Sequence, residues 1–309
     1  MRIVIIGATG HIGTWLVPRL IRKGHEVVAV SRGVRDPYQR FPEWDSAEHV
    51  VIDRQRSEQD GSFGKRIADL HGEAVIDLIC FERESAAHLV DALHGRVEHF
   101  IHCGTLWVHG IPQSCPYDET AAREPFGDYG IRKAEIERFL LDESSREFPA
   151  TILHPGHITG PGWDPINPIG NLDRQVFDQL ASGAIVVLPD DGLARLQHVH
   201  ADDVASAFEL AIEQPDKSIG ESFHVAAREP VTLLSYAETV ASWSGRKAKL
   251  AFLPWDEWTK TKSERDAEIT LDHVMHSPCA SIAKAERILG FNPRYTAVEA
   301  VRDALSYTM

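Results

Sequence analysis

Few features of the chain point to a disulfide-rich, membrane-embedded or nucleic-acid-binding protein. The 309 residues include only four cysteines, and there is no Cys-x-x-Cys pair among Cys80, Cys103, Cys115 and Cys279. A chain of this length needs no disulfides for stability, so we expect four reduced thiols in a cytoplasmic protein. No apolar run approaches the ~18 residues of a membrane helix, and the first residues do not resemble a signal peptide. The net charge of −14 disfavours binding to nucleic-acid phosphates.

The apolar residues that are present follow two alternating patterns along the first half of the chain. Continuous apolar runs, which are typical of buried parallel strands, occupy residues 3–6, 27–30, 50–52, 75–79, 100–101 and 151–153. Helical patterns separate these runs, as in βαβ units. We therefore predict an α/β fold with a Rossmann-like, doubly wound parallel sheet.

The second half of the chain is less regular. Proline and glycine are concentrated in residues 155–170, which we predict to be a loop. Helices are predicted over residues 173–181, 202–212 and 233–244, and strands over residues 185–188 and 223–225, whereas residues 255–272 show no clear pattern. We expect a dinucleotide-binding domain over residues 1–160 and a smaller, interleaved C-terminal substrate-binding lobe over residues 161–309. Segments around 184–225 are expected to return to the Rossmann sheet.

A glycine-rich turn follows the first predicted strand and opens a helix. Its three glycines have the spacing of a dinucleotide-binding turn, in which they allow a tight turn, a close approach to a pyrophosphate and helix packing against the sheet. A strand–helix turn that binds nothing is the alternative. The predicted cofactor-binding residues of the turn are Gly7, Thr9, Gly10, His11, Ile12 and Gly13.

The end of the second predicted strand bears on the choice of nicotinamide cofactor. NAD-binding proteins usually place Asp or Glu there to hold the ribose 2′-hydroxyl, whereas this strand ends in Ser31 and Arg32. Arg32 suits the 2′-phosphate of NADP, with Ser31 as a second donor and Arg35 as a further cation nearby; a solvated surface arginine is the alternative. Asp53, after the third strand, either accepts a hydrogen bond from the adenine amino group or is an ordinary loop carboxylate.

Tyr129 and Lys133 are four residues apart, which places both on one face of a helix. A Tyr-x-x-x-Lys pair is common by chance, but this one comes after a predicted strand that runs into Thr105. The three residues supply a phenol, a cation and a second hydroxyl group.

With these motifs the chain resembles the extended short-chain dehydrogenase/reductase family, also called the NAD-dependent epimerase/dehydratase family. The resemblance covers almost the whole chain, and the order and spacing of the motifs agree. It rests on the glycine-rich turn, residues 105–110, the Tyr129–Lys133 pair, residues 155–162, residues 198–205 and the tail at residues 284–293.

The resemblance implies specific catalytic roles. Tyr129 is the expected general acid/base, Lys133 lowers the pKa of Tyr129 and binds the nicotinamide ribose, and Thr105 binds the substrate oxygen. A free tyrosine has a pKa of about 10, so acid/base catalysis near neutral pH needs this pKa to fall by about 3 units. A nearby lysine and the nicotinamide charge favour such a fall. The resemblance also places Pro155 and His157 at the cofactor, and Trp107, Trp163 and Asn171 at the substrate.

Departures from the family pattern narrow the expected activity. Leu106 and Trp107 follow Thr105 where dehydratases usually carry Asp-Glu, which argues against a 4,6-dehydratase. His154 replaces an arginine that is common in relatives, and Arg195 is displaced by one position from the arginine of sugar-nucleotide epimerases. The expected substrate is a sugar, a sugar nucleotide or another small alcohol or ketone.

Structural interpretations stay open for several side chains. His198 and His200 share a strand face and are conceivable metal ligands, but the resemblance explains them as a structural loop and helix cap, and we predict no metal. His154 and His157 flank the predicted nicotinamide loop. Either both line the pocket, or His154 is a residue at the end of a strand whose polar atoms are hydrogen-bonded there. Core packing is the alternative for the two tryptophans and for Asn171.

The expected function is NAD(P)-dependent oxidoreduction or epimerisation at a carbinol or carbonyl carbon, with NADP preferred and NAD as the alternative. A non-catalytic dinucleotide sensor of the same fold is a second hypothesis. An RNA-binding relative is a third, which the acidic charge and the intact Tyr–Lys pair argue against. We expect a small-molecule substrate, no nucleic-acid or membrane partner and, by the resemblance, a homodimer.

Overall fold

The computed structural model describes residues 1–146 and 148–307 of the chain. Short 3₁₀ helices cover Pro42–Ser46 and Leu106–His109 in its first half. The other elements of this half are β1 (Arg2–Ile6), α1 (His11–Arg22), β2 (Glu26–Ser31), β3 (Glu48–Val51), α2 (Arg54–Gln59), α3 (Phe63–Ala68), β4 (Ala74–Asp77), α4 (Arg83–Leu93), β5 (His99–Cys103), α5 (Gly127–Ser144) and β6 (Ala150–Pro155).

The second half contains shorter strands and more helices, with a 3₁₀ turn at Thr259–Thr261. Its elements are β7 (His157–Thr159), α6 (Gln175–Ser182), β8 (Ile185–Pro189), β9 (Arg195–Leu196), β10 (His198–His200), α7 (Ala201–Glu213), α8 (Pro215–Ser218), β11 (Ser222–Val225), β12 (Val231–Thr232), α9 (Leu233–Ser242), β13 (Lys249–Leu253), α10 (Trp255–Trp258), α11 (Glu264–His276), α12 (Ala283–Leu289) and α13 (Ala297–Ser306). Among the described residues, no helix is both long and apolar enough to cross a bilayer.

Seven parallel strands form the central sheet in the order β11-β6-β5-β4-β1-β2-β3. The predicted α/β fold with a Rossmann-like parallel sheet is thereby confirmed. Side chains alternate between the two faces, so that Ile3 and Ile5 join one apolar core and Val4 and Ile6 join the other. Because both faces of the sheet are covered, both sets are buried, and the strands have continuous apolar sequences.

The strand order reverses at β1, which lies between β4 and β2. From β1 the sheet extends to β2 and β3 on one side, and β4, β5 and β6 follow on the other. Ligands of doubly wound folds bind in the crevice that such a reversal leaves at the carboxyl ends of the strands. Gly7 directly follows β1, so the glycine-rich turn lies at this crevice.

A third apolar core, in the second half of the chain, includes side chains of α6, β8 and α9. Segment 184–225, predicted to return to the central sheet, divides between the two regions. Strand β11 is an edge strand of the central sheet and α7 packs against α1, whereas β8 pairs with β13 in a separate two-stranded sheet. Strand β8 stays outside because its apolar residues Val186 and Leu188 are buried in the third core. The domain boundary at residue 160 remains a prediction.

Two further stretches differ from their sequence patterns. Residues 155–170, predicted to be a loop, contain β7, which pairs with β10 in a two-stranded parallel sheet. Residues 255–272, which showed no clear pattern, form α10, a 3₁₀ turn and most of α11. In both cases the pairing or packing partner is distant in sequence, so no local pattern reports it.

The expectation of four reduced thiols is wrong for Cys115 and Cys279, which form a disulfide. Their Cα atoms are 5.3 Å apart although 164 residues separate them along the chain. A β-bridge between Tyr117 and Ala280 brings the two segments together, and the N–H of Tyr117 donates to the carbonyl of Cys279 at 3.0 Å. Since disulfides are rare in the cytosol, the argument from thiols to a cytoplasmic location loses its support.

We predict that denaturation without a reductant exposes two reactive thiols, and that denaturation after reduction exposes four. The two thiols of Cys80 and Cys103 should react slowly in the native protein, because both are buried and burial raises the pKa of each. Mass spectrometry after alkylation counts the labels, and a Cys115→Ser/Cys279→Ser protein should carry two in either state. Four labels on denatured, unreduced protein would contradict the disulfide.

Candidate active site

The glycine-rich turn is built to accept a negatively charged group. Gly7 has a φ of 88°, a left-handed conformation that favours glycine, and an added Cβ would lie 2.7 Å from Ile79. Gly10 caps α1 without a side chain, and the first turn of α1 carries no acidic residue. The N–H groups and the positive end of the helix dipole are therefore available to an anion. Gly13 has no room for a Cβ against the backbone of Ala8, so it serves helix packing.

Two adjoining cavities lie beside this turn at the carboxyl ends of the strands. The outer cavity has a volume of about 560 Å³ and includes residues that follow β2 and β3, whereas the inner cavity, of about 360 Å³, includes residues that follow β5 and β6. A molecule centred on the turn can therefore reach into both. The residues shared by the two cavities are Gly7, Gly10, Arg35, Ile79 and Phe81.

Four of the predicted cofactor residues beyond the glycines, Thr9, Ser31, Arg32 and Asp53, line the outer cavity. Arg32 is exposed, and no carboxylate ends β2. Asp53 has a second task, because its carboxylate accepts a hydrogen bond from the N–H of Arg56 at 3.1 Å and so caps α2. The outer cavity thus has an arginine where NAD-binding proteins usually carry an acid.

Arg54, which the sequence reasoning missed, also lines the outer cavity. Its Nη1 donates to both carboxylate oxygens of Asp77 at 2.8 and 2.9 Å, and its Nε donates to Glu58 at 2.7 Å. The guanidinium lies 4.9 Å from the ring centre of Phe63. The sequence feature that could have indicated Arg54 is Asp77, because a carboxylate at the end of a buried apolar strand needs a cationic partner.

Aromatic rings surround the end of α1 next to the inner cavity. The ring of His11 stacks on Trp163 with centroids 4.7 Å apart, and Tyr38 packs edge-on against both rings. The Arg35 guanidinium lies over the Tyr38 ring at 4.7 Å. Burial, and then the charge of nearby His200, lowers the pKa of His11 to about 3, so its ring is neutral at physiological pH. Both predicted residues, His11 and Trp163, line the inner cavity.

The three predicted catalytic residues, Thr105, Tyr129 and Lys133, line the inner cavity together. Tyr129 and Lys133 share one face of α5. Thr105 follows β5, and its Oγ1 accepts a hydrogen bond from the N–H of Trp107 at 3.3 Å, which caps the 3₁₀ helix Leu106–His109. Pro155 and Ile12, two of the predicted cofactor residues, line the same cavity.

Lys133 is 2% exposed, and its ammonium group donates to the carbonyls of Cys80 and Cys103, each at 2.7 Å. Cys80 follows β4 and Cys103 ends β5, so one side chain fastens α5 to two neighbouring strands. Burial lowers the pKa of Lys133, and the two nearby thiols and Asp77 act in the opposite direction. An ammonium group has three donors, so one remains beyond the two carbonyl bonds.

Tyr129 is a neutral phenol in this environment. Although the residue is 43% exposed, burial of its hydroxyl end raises its pKa to about 12. The neighbouring Cys103 adds to the rise, and a hydrogen bond with the Thr105 side chain acts in the opposite direction. Near neutral pH, Tyr129 therefore holds a proton that it can donate.

Further aromatic rings flank Tyr129. Trp107, predicted at the substrate, is half-buried and packs edge-on against Tyr129 with centroids 5.7 Å apart. Its ring stacks on that of His276 at 4.0 Å, and Phe126 also stacks on His276 at 4.0 Å. The sequence reasoning missed Phe126 and His276, because they come from segments about 150 residues apart whose approach depends on the tertiary fold.

Four predicted site residues, Gly13, Trp107, His157 and Asn171, do not line either cavity. Asn171 is fully buried, and its side chain bonds to those of Asn167 and Thr270, so its polar atoms are used within the second lobe. His157 is buried in β7, and its Nδ1 accepts a hydrogen bond from the N–H of Gln197 at 3.3 Å. The pairing of β7 with β10 turns this ring away from the cavity that its chain neighbours line.

His198 and His200 have structural partners. The Nε2 of His198 lies 3.2 Å from the carbonyl of Ile166, and the Nδ1 of His200 accepts a hydrogen bond from the N–H of Asp202 at 3.1 Å, which caps α7. Within residues 1–146 and 148–307, no group of three or more His, Cys, Asp or Glu side chains could hold a metal ion.

The chain belongs to the NAD dependent epimerase/dehydratase family, whose sequence profile matches residues 3–226. It is 29% identical over 278 residues to 2′-dehydrokanamycin reductase of Streptomyces kanamyceticus, which covers 87% of this chain and 73% of that relative. It is 25% identical over 315 residues to the chloroplast stem-loop binding protein of 41 kDa b of Arabidopsis thaliana, covering 98% and 78%. The fold matches UDP-glucuronic acid 4-epimerase of Bacillus cereus, solved with UDP-glucuronic acid and NAD, with a TM-score of 0.73 at 20% identity over 99% and 98% of the chains.

The chain is accordingly an NAD(P)-dependent epimerase or oxidoreductase with a nicotinamide dinucleotide cofactor, which confirms the predicted family and enzyme class. The residues at the crevice fit such a cofactor. At Gly7 an added Cβ would meet Ile79, the helix N-terminus has the free N–H groups that suit a pyrophosphate, and the two cavities offer room on either side of it.

We predict that Tyr129 stays protonated up to a pH of about 10 in the cofactor-free protein, because burial raises its pKa to about 12. The difference between alkaline absorbance titrations of the wild type and of Tyr129→Phe isolates the tyrosinate signal of this residue. Circular dichroism at each pH checks that the fold persists. A Tyr129 tyrosinate signal near neutral pH would show that the burial argument is wrong.

Proposed function

We propose that the chain is an NADP-preferring oxidoreductase that interconverts a small ketone and the corresponding alcohol. One observation carries the proposal: Thr105, Tyr129 and Lys133 line one cavity beside the glycine-rich turn. A hydroxyl, a phenol and an ammonium group there can hold a carbonyl oxygen next to the site of hydride transfer. When bound, the nicotinamide supplies or accepts the hydride.

Tyr129 moves the proton in this proposal. The protonated phenol that burial maintains suits the reductive direction, in which the substrate oxygen gains negative charge and takes a proton. The Thr105 hydroxyl binds the same oxygen. In the oxidative direction Tyr129 has to accept a proton, and the positive charge of oxidised nicotinamide then lowers its pKa.

Lys133 binds the nicotinamide ribose through its remaining donor. Its position does not depend on the ligand, because two carbonyls already hold the ammonium group. Such preorganisation avoids part of the entropy lost when a flexible lysine is ordered on binding.

The cations of the inner cavity support a substrate without a diphosphate group. Among its lining residues, Arg35 and Lys133 are the arginine and lysine side chains. Arg35 also lines the outer cavity, and Lys133 is bonded to two carbonyls. A nucleoside diphosphate sugar needs cations for its phosphates, so a ketone or alcohol without phosphate groups, free sugars included, fits better. The relative named 2′-dehydrokanamycin reductase agrees with the reductive direction of the proposed reaction.

The preference for NADP rests on Arg32 and Arg35, which follow β2 and line the outer cavity, and on the lack of a carboxylate at the end of that strand. We predict that Arg32→Ala lowers the affinity for NADPH about 10-fold and changes that for NADH less than about 2-fold, because Arg32 pairs with the 2′-phosphate alone. Fluorescence titration of cofactor-stripped protein measures both affinities. Arg40→Ala is a matched control, since Arg40 pairs with Asp45 and lines neither cavity. Tighter binding of NADH than of NADPH by the wild type would contradict the preference.

We predict that Tyr129→Phe lowers turnover at least about 100-fold while the affinity for NADPH stays within about 2-fold, because the phenol transfers a proton and does not bind the dinucleotide. NADPH oxidation is followed with a panel of neutral cyclic ketones that begins with isatin, and binding by fluorescence. Full turnover by the variant would rule out Tyr129 as the acid.

A non-catalytic dinucleotide sensor is the alternative that the sequence left open, and membership of the enzyme family argues against it. It predicts NADPH binding by the wild type without turnover of any ketone in the panel, and a partner interaction that survives Tyr129→Phe. The presence of both Tyr129 and Lys133 supports catalysis. A cytoplasmic location and a homodimer stay predictions from the sequence.

A further inference from the structure

The ring of His154 links the catalytic loop to a buried carboxylate. His154 lies in β6, is 0% exposed and lines neither cavity. Its Nδ1 lies 3.0 Å from the backbone nitrogen of Thr105, and its Nε2 lies 3.0 Å from Oε1 of Glu137. Glu137 follows Tyr129 and Lys133 by eight and four residues on the same face of α5.

These contacts determine where the proton of His154 resides. The backbone N–H of Thr105 can only donate, so Nδ1 has to present a lone pair. A neutral imidazole then carries its proton on Nε2, which donates it to the carboxylate of Glu137. The ring is thus held in one tautomer from both sides, in the way that a carboxylate orients a histidine in catalytic triads.

Glu137 is itself anchored and charged. Arg123 donates to its two carboxylate oxygens, through Nη2 at 2.7 Å and Nε at 3.2 Å. The same guanidinium donates through Nη1 to the carbonyls of Glu119 and Ala121. Although burial alone would raise the pKa of Glu137, the His154 ring and the Arg123 guanidinium hold it well below its usual range. The carboxylate therefore persists as an acceptor for the His154 proton.

The backbone next to Thr105 is fitted to this ring. Gly104 is buried, and a Cβ there would collide with the Nδ1 of His154. The loop between β5 and the following 3₁₀ helix therefore rests on the imidazole directly. The contact fixes the backbone of Thr105, whose side chain lines the inner cavity together with Tyr129.

We propose that His154 and Glu137 are positioning residues that set the place of the Thr105 hydroxyl beside Tyr129. The inference rests on the proposed function for Thr105 and Tyr129. It holds that the His154 ring acts through the lone pair on its Nδ1, which accepts the hydrogen bond from the Thr105 N–H. A ring that merely fills space under the loop would work equally well without an acceptor.

His154→Asn and His154→Leu separate these two explanations. Asn and Leu have the same branching, and both lose the contact with Glu137, but only the Asn Oδ1 can replace Nδ1 as acceptor for the Thr105 N–H. We expect turnover of His154→Leu to fall at least about 10-fold below that of His154→Asn, with the KM for NADPH equal, because one buried donor is left unpaired. Equal turnover of the two variants would overturn the proposal.

Glu137→Gln tests whether the carboxylate of Glu137 acts through the ring of His154. Gln can also donate to Nε2, which would stabilise the wrong tautomer, so we expect turnover to fall about 3- to 10-fold in the wild-type background. The same substitution should have no further effect on His154→Asn, whose side chain does not reach residue 137. An equal loss in both backgrounds would show that Glu137 acts independently of His154.

Two readouts need no substrate. In the NADP⁺ complex, the pKa of Tyr129, measured against Tyr129→Phe in each background, should be higher in His154→Leu than in His154→Asn, because a Thr105 hydroxyl held beside the phenol stabilises the phenolate. Nitrogen NMR of His154 should show a protonated Nε2 and an unprotonated Nδ1; the opposite tautomer would overturn the proposal. A wild-type protein that binds no dinucleotide would contradict the proposed function. The NMR result would still show whether His154 has the tautomer that its contacts with Thr105 and Glu137 require.

Discussion

The ammonium group of Lys133 holds the active-site helix to the sheet, and the remaining geometry follows from it. Its two bonds, to the carbonyls of Cys80 and Cys103, join α5 to the ends of β4 and β5. Because Tyr129 and Glu137 lie one turn before and one turn after Lys133 on the same helix face, the same anchor places the phenol at the cavity and the carboxylate under β6. A shift of α5 would therefore displace the proton donor and the buried network together.

Burial affects the protonation states of the ionisable groups around Lys133 in different ways. It keeps Tyr129 protonated, which suits proton donation, and it leaves His11 neutral beside the glycine-rich turn. Glu137 stays charged because two partners outweigh its burial. Arg32 and Arg35 of the outer cavity are exposed to water, where they can bind a phosphate. The site thus separates a region suited to anions, near the glycine-rich turn, from an inner cavity with little free charge.

Local features of the sequence predicted much of the fold and part of the site. The apolar runs marked the first six strands of the central sheet, and the glycine spacing and the Tyr–Lys pair marked the crevice and the inner cavity. Features that depend on distant contacts could not be read in this way. The Cys115–Cys279 disulfide joins segments 164 residues apart, and Asn171 is used within the second lobe. His154 looked like a substitution in a motif, but its role follows only from partners 49 and 17 residues away.

A crystal structure of the protein with NADP⁺ tests the central claim most directly. Our account predicts the pyrophosphate at the glycine-rich turn, the 2′-phosphate at Arg32, and the nicotinamide in the inner cavity beside Tyr129. The Lys133 ammonium should keep both carbonyl bonds and place its third donor on the ribose. A dinucleotide bound elsewhere, or a nicotinamide that lies outside the cavity lined by Thr105 and Tyr129, would contradict the account.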